Sequence, residues 1–182
     1  MKAENSNRIR RYILTTALLS TPIQANESKD SQTLKSLELR IEEEGPQTVL
    51  SDVFGKPEWN SIIEGIKKAK PRWLRVGMKL RKVSDAGASE ELRISLAEGL
   101  EVNPVNVFRN ALFESDSGQI SMVCRTTGIE RPLAVEISSV DKRILEIRKI
   151  KIRDLEKFKT VCLEALEAEK IGLQELQRNE VK

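Results

Sequence analysis

A chain of 182 residues, 39% hydrophobic and 32% charged, is long enough for one domain with its own core and too apolar to be disordered throughout. It has no histidine and two cysteines. That excludes a histidine-based triad, a histidine general base, a thiolate metal cage and most zinc, copper and haem sites. The formal charge of +3 resides in the first 25 residues, because removing their four basic and one acidic side chains from totals of 31 and 28 leaves 27 of each. A neutral body argues against general nucleic-acid binding, which needs a concentrated cationic face.

The chain opens with a polar stretch ending in Arg8, Arg10 and Arg11, followed by the moderately apolar run Tyr12–Ala25. A basic region, a short apolar region and a small residue after Thr21-Pro22 make an export signal over residues 1–25, with Ile23-Gln24-Ala25 as the cleavage site. The run is too short to stay in a bilayer as a spanning helix, so no stable membrane span is expected after cleavage. Thr15, Thr16 and Ser20 dilute its apolar character. The same stretch also fits an ordinary amphipathic first helix of a cytoplasmic protein. The signal reading places the mature protein in the periplasm or outside the cell.

Residues 26–32 read as a polar linker, and a single helical domain is expected over 33–176. Leu34, Leu37 and Ile41 mark one helical face, stopped by Gly45-Pro46. Pro46 starts a short helix with Val49, Leu50, Val53 and Phe54, ended by Gly55. Two similar segments follow, opened by Pro57 and Pro71, with Trp59 aligned on Trp73 at an offset of 14. Proline at a first helical position costs no hydrogen bond, so the pair predicts an αα-hairpin. The two indoles head apolar faces at helical spacing, which reads as core, with a tryptophan-lined pocket or interaction surface as the functional alternative. Asp85 caps a helix carrying Leu92, Leu96 and Leu100. Asn103-Pro104 restarts another with Val107, Phe108, Ala111 and Leu112.

Residues 120–124 are a short apolar run compatible with a helical turn or a strand. A helical pattern resumes at Leu133, the segment 147–152 reads as a helix junction, and Asp154 is placed to cap a longer C-terminal helix through Leu155, Phe158, Cys162 and Leu166. A disordered tail is expected over 177–182. The predicted class is therefore all-α: short antiparallel helices in hairpins, an irregular α-solenoid-like bundle with a longer last helix.

Cys124 and Cys162 are an isolated pair without C-x-x-C spacing. In an exported protein such a pair forms a structural disulfide, which would close a loop of about 39 residues and contribute roughly 4 kcal/mol. In a cytosolic protein the same residues would be two reduced, buried thiols.

The strings Trp59-x-x-Ile62-x-x-x-Ile66, Trp73-Leu74, Ser84-Asp85-Ala86-Gly87-Ala88, Ala97-Glu98-Gly99-Leu100 and Asn103-Pro104 resemble a family of uncharacterised exported helical proteins of proteobacteria. The resemblance covers about residues 40–166. It implies export and an all-α fold, and it implies a cysteine after the NP helix and another in the last helix, matching Cys124 and Cys162. It carries no established activity.

Three functions fit the residues. The first is a non-catalytic exported protein acting on an unknown protein partner, as an adaptor, accessory factor or immunity-like inhibitor, without cofactor or metal. The second is a carboxylate-dependent wall hydrolase using Glu58, Glu64, Asp85, Glu90 or Glu91 near the tryptophans. Their positions in first turns and caps explain most of these acids without catalysis. The third is membrane-surface or nucleic-acid binding through Lys142, Arg143, Arg148, Lys149, Lys151 and Arg153, a run interrupted by Asp141, Glu146 and Asp154 and otherwise a solvated face.

Overall fold

The computed structural model describes residues 22–125 and 131–180, with side chains from Asp30 onward. Most of the expected export signal, residues 1–21, lies outside the described residues. The order of elements is α1 (Pro22–Glu43), α2 (Pro46–Val53), α3 (Pro57–Lys67), α4 (Pro71–Arg81), α5 (Ala86–Val102), α6 (Pro104–Val107), α7 (Ser117–Arg125), α8 (Leu133–Arg148) and α9 (Glu156–Glu180). A π turn over Phe108–Leu112 continues α6, and a 3-10 turn over Arg153–Leu155 precedes α9. The fold is all-α, and among the described residues no helix is long and apolar enough to cross a membrane.

Proline sets the frame in the first half. Pro46, Pro57, Pro71 and Pro104 each occupy a first helical position, where a missing N–H leaves nothing unsatisfied. Asp85 accepts a hydrogen bond from the Ala88 amide (3.3 Å), and Asn103 accepts one from the Asn106 amide (3.0 Å), so both expected caps are made. The turn between α3 and α4 closes with Ala69 in the left-handed region (φ 50°). There the Lys70 amide reaches the Gly65 carbonyl at 3.0 Å, and the Asn106 side-chain amide donates to the Ala69 carbonyl at 3.0 Å.

Helix α3 packs closely on α4 and on α5 because glycine stands at both crossings. A Cβ on Gly65 would overlap the Trp73 ring, and one on Gly99 of α5 would come within 2.8 Å of the Ile66 carbonyl oxygen. Helix α5 is shared by both halves, lying against α3 and α4 on one side and α7 and α8 on the other. Its Leu92, Leu96 and Leu100 are buried together with Ile62, Ile66, Val140 and Ile120 in one continuous core. Helices α8 and α9 run antiparallel, as the ion pairs Arg148–Glu167 (2.6 Å) and Asp141–Lys170 (2.6 Å) require.

Three boundaries differ from expectation, and one open alternative is decided. Residues 26–32, expected as a linker, lie inside α1. Residues 120–124, open between a helical turn and a strand, belong to helix α7, where Ile120, Val123 and Cys124 repeat at three and four and bury one stripe. Asp154 sits within the 3-10 turn, so α9 starts at Glu156. Residues 177–180, placed in the expected tail, continue α9 as exposed helix.

Candidate functional site

The sequence singled out the tryptophans first. Both indoles are interior: Trp59 is 3% and Trp73 2% exposed. The Trp59 Nε1–H donates to Glu91 Oε2 at 2.6 Å, and the Phe54 ring meets Trp59 edge-on with centroids 5.1 Å apart. Trp73 fills the space over Gly65. The neighbouring acids are committed in different directions. Asp85 caps α5, Glu90 pairs with Arg93, Glu64 lies 3.5 Å from Lys68, and Glu58 is exposed in the first turn of α3. An open polar recess of about 220 Å³ lies nearby, bordered by Asp30, Asn60, Glu64 and Lys70.

The cysteines form a disulfide with Cα atoms 5.4 Å apart, joining α7 to α9, and both are fully buried. Beside it lies a buried charged cluster that the sequence reading did not anticipate. Arg143 of α8 is 1% exposed, and its Nη1–H donates to the Cys124 carbonyl at 2.7 Å, near the end of α7. Burial pulls the Arg143 guanidinium below the ordinary arginine value, and Glu101, Glu136 and Glu169 oppose that shift. Glu136 is itself buried, 3.7 Å from Arg131 Nε. The cluster encloses a cavity of only about 10 Å³. Its geometry is that of a tie between α5, α7 and α8.

The basic run noted in the sequence is broken by this arrangement. Arg143 points inward, Lys142 pairs with Glu101 (3.3 Å), Arg148 with Glu167 (2.6 Å) and Lys149 with Glu146 (2.6 Å). Only Lys151 and Arg153 of that run are exposed without an ion pair among the described residues.

A different cationic surface emerges on α4. Residues 65–84 contain eight lysines and arginines and no acidic residue. Burial of Trp73, Leu74, Val76 and Leu80 orients α4 so that Arg72, Arg75, Lys79 and Lys82 all face solvent. Spacings of three, four and three put these four on one stripe of the helix. At its ends, Arg72 donates to Glu38 of α1 (Nε to Oε1, 3.1 Å) and Lys82 lies 3.4 Å from Glu114. In its middle, Arg75 Nη1–H donates to the neutral Asn110 Oδ1 at 2.7 Å. Lys79 has no carboxylate partner among the described residues. The Arg72 hydrogen bond holds the Glu38 carboxyl below its ordinary value, and the charges of Arg75 and Lys79 add to that effect. Arg81, between Lys79 and Lys82, is lowered from the usual arginine value by burial and by repulsion from Arg93. The stripe is therefore strongly positive and neutralised only at its two ends.

No family model, no curated protein and no solved structure matches the chain.

Proposed function

We propose that the protein is an exported, non-catalytic helical protein that acts by binding another protein in the periplasm, as an adaptor, accessory factor or immunity-like inhibitor. The observation that carries the interaction is the solvent-facing stripe on α4. Like charges three and four residues apart on a helix repel one another, so Arg75 and Lys79 gain more from an external anion than from their own neighbours. The compartment is supported by the buried Cys124–Cys162 bond, since structural disulfides persist in oxidising surroundings. The basic-then-apolar N-terminal sequence supports the same address.

The test is affinity purification of the mature protein from its native periplasm, with N-terminal sequencing of the recovered chain. The expected result is a chain starting near residue 26 in a stoichiometric complex. Recovery from the cytosol with Met1 intact would remove the export part of the reading. A lone monomer after crosslinking would remove the interaction part.

A further inference from the structure

We infer that the α4 stripe is the docking site for an acidic, amphipathic helical segment of the protein partner. This deepens the interaction reading above and rests on it. The stripe runs from Arg72 to Lys82, roughly 15 Å at the rise of an α-helix, and is one side chain wide. A single helix with glutamates at three- and four-residue spacing matches it in length, width and charge order. The margins of the stripe explain why a single helix is the occupant. Glu38 stands at the Arg72 end and Glu114 at the Lys82 end. A flat anionic bilayer or a DNA duplex presents phosphates to both carboxylates as it reaches Arg75 and Lys79, whereas a helical segment can carry its glutamates opposite Arg75 and Lys79 alone. Two exposed apolar side chains adjoin those carboxylates in sequence. Leu39, after Glu38 in α1, is 53% exposed. Phe113, before Glu114, is 62% exposed and rests on Phe158 with ring centroids 6.0 Å apart. An amphipathic partner helix that reaches them gains apolar contact while its acids face the stripe.

The probe is a short, fluorescently labelled alanine-based helical peptide with glutamates on one face, titrated with the full-length protein and read by anisotropy. Its control carries glutamine at the same positions. The protein should bind the glutamate peptide, bind the glutamine peptide much more weakly, and lose affinity as salt is raised. Arg75→Gln/Lys79→Gln should weaken binding by about tenfold, while Lys151→Gln, on the exposed end of the other basic run, leaves it unchanged. If the double variant melts differently from the parent, Lys79→Gln is read alone, since Lys79 makes no side-chain hydrogen bond or ion pair among the described residues.

Equal binding by parent and variant overturns the inference. So does absence of peptide binding, or tighter binding of phosphatidylglycerol vesicles or a DNA duplex through the same two residues. The broader reading fails separately. If a periplasmic partner is retained equally by the double variant, the interaction stands and the α4 assignment falls; if no partner exists, the interaction itself falls.

Discussion

Reducing the Cys124–Cys162 bond should destabilise the protein through its unfolded chain rather than through its folded contacts. The bond spans 38 positions, from α7 across α8 to α9. The chain-entropy relation for a closed loop of that size gives roughly 4 kcal/mol, near the top of the usual range. The folded state has other holds on the same place. Arg143 keeps its hydrogen bond to the Cys124 carbonyl, and Val123, Leu166 and Ile144 stay packed around the two sulfurs' helices. The native geometry should therefore survive reduction, and the loss should appear as a larger conformational freedom of the unfolded state. Urea unfolding of oxidised and reduced protein, followed by far-ultraviolet circular dichroism, measures it. The reduced protein should unfold about 2–4 kcal/mol more easily, with a steeper dependence on urea because its unfolded chain exposes more surface. For a domain of this size the melting temperature should fall by about 4–16 °C. Both cysteines are fully buried, so reductant should act slowly on the native protein and fast above the unfolding midpoint. Oxidised and reduced forms agreeing within about 1 kcal/mol would refute the loop-entropy reasoning.

Gly65→Ala should cost about 1–3 kcal/mol in urea unfolding despite its better helix propensity, because the added methyl overlaps the buried Trp73 ring; a variant as stable as the parent would sink this. Arg143→Ala removes the positive charge that offsets Glu101 and Glu136 in the interior, and the donor to the Cys124 carbonyl, and should cost about 3–5 kcal/mol by the same measurement. Hydrogen bonds from Arg72 to Glu38, from Arg40 to Glu44, and from Lys56 and Arg40 to Asp52 hold these carboxyls below their ordinary values of 4.5, 4.5 and 3.8. Depressed folded values mean stability that is present above the unfolded values and lost as pH falls through the folded ones, so the urea midpoint should decline below about pH 4.5. The decline should be shallower in Arg40→Gln/Arg72→Gln, and an identical acid limb in that variant would contradict the pairing.

Much of the fold was legible because its punctuation is chemical. Proline at a first helical position, Asp85 and Asn103 as caps, and leucines at three- and four-residue spacing are local signals, and each marks the element it predicts. The misread places are those where distance in sequence hides the partner. Asn26 to Ser31 is polar and reads as linker, yet it lies within the helix that the hydrophobic face of 34–41 continues. Residues 120–124 are an open case rather than a misreading, since five residues fit either a helical turn or a strand, and as part of α7 they pack on α9. Arg143 reads as one more lysine-like charge in a basic run. Only its packing against α7 and its acids on α5 and α8 reveal it as interior.

The α4 stripe was hidden differently, since every residue of it is plain in the sequence. Net charge summed over the body is zero, and a zero sum says nothing about how the charges are sorted. Between Glu64 and Asp85 they are fully sorted, and the helical period then divides the eight bases by role. Lys67 turns to Glu98 at 3.2 Å, Lys68 to Glu64 and Lys70 to Asp30, while Arg81 is drawn partly inside. The four that remain are those at spacings of three, four and three opposite Trp73, Leu74, Val76 and Leu80. The apolar residues that bury one face of α4 thus select which cations line the other. The core and the proposed docking surface are two readings of one eleven-residue helix, and a substitution that rotated α4 to relieve its charge repulsion would have to withdraw Trp73 from Gly65 to do so.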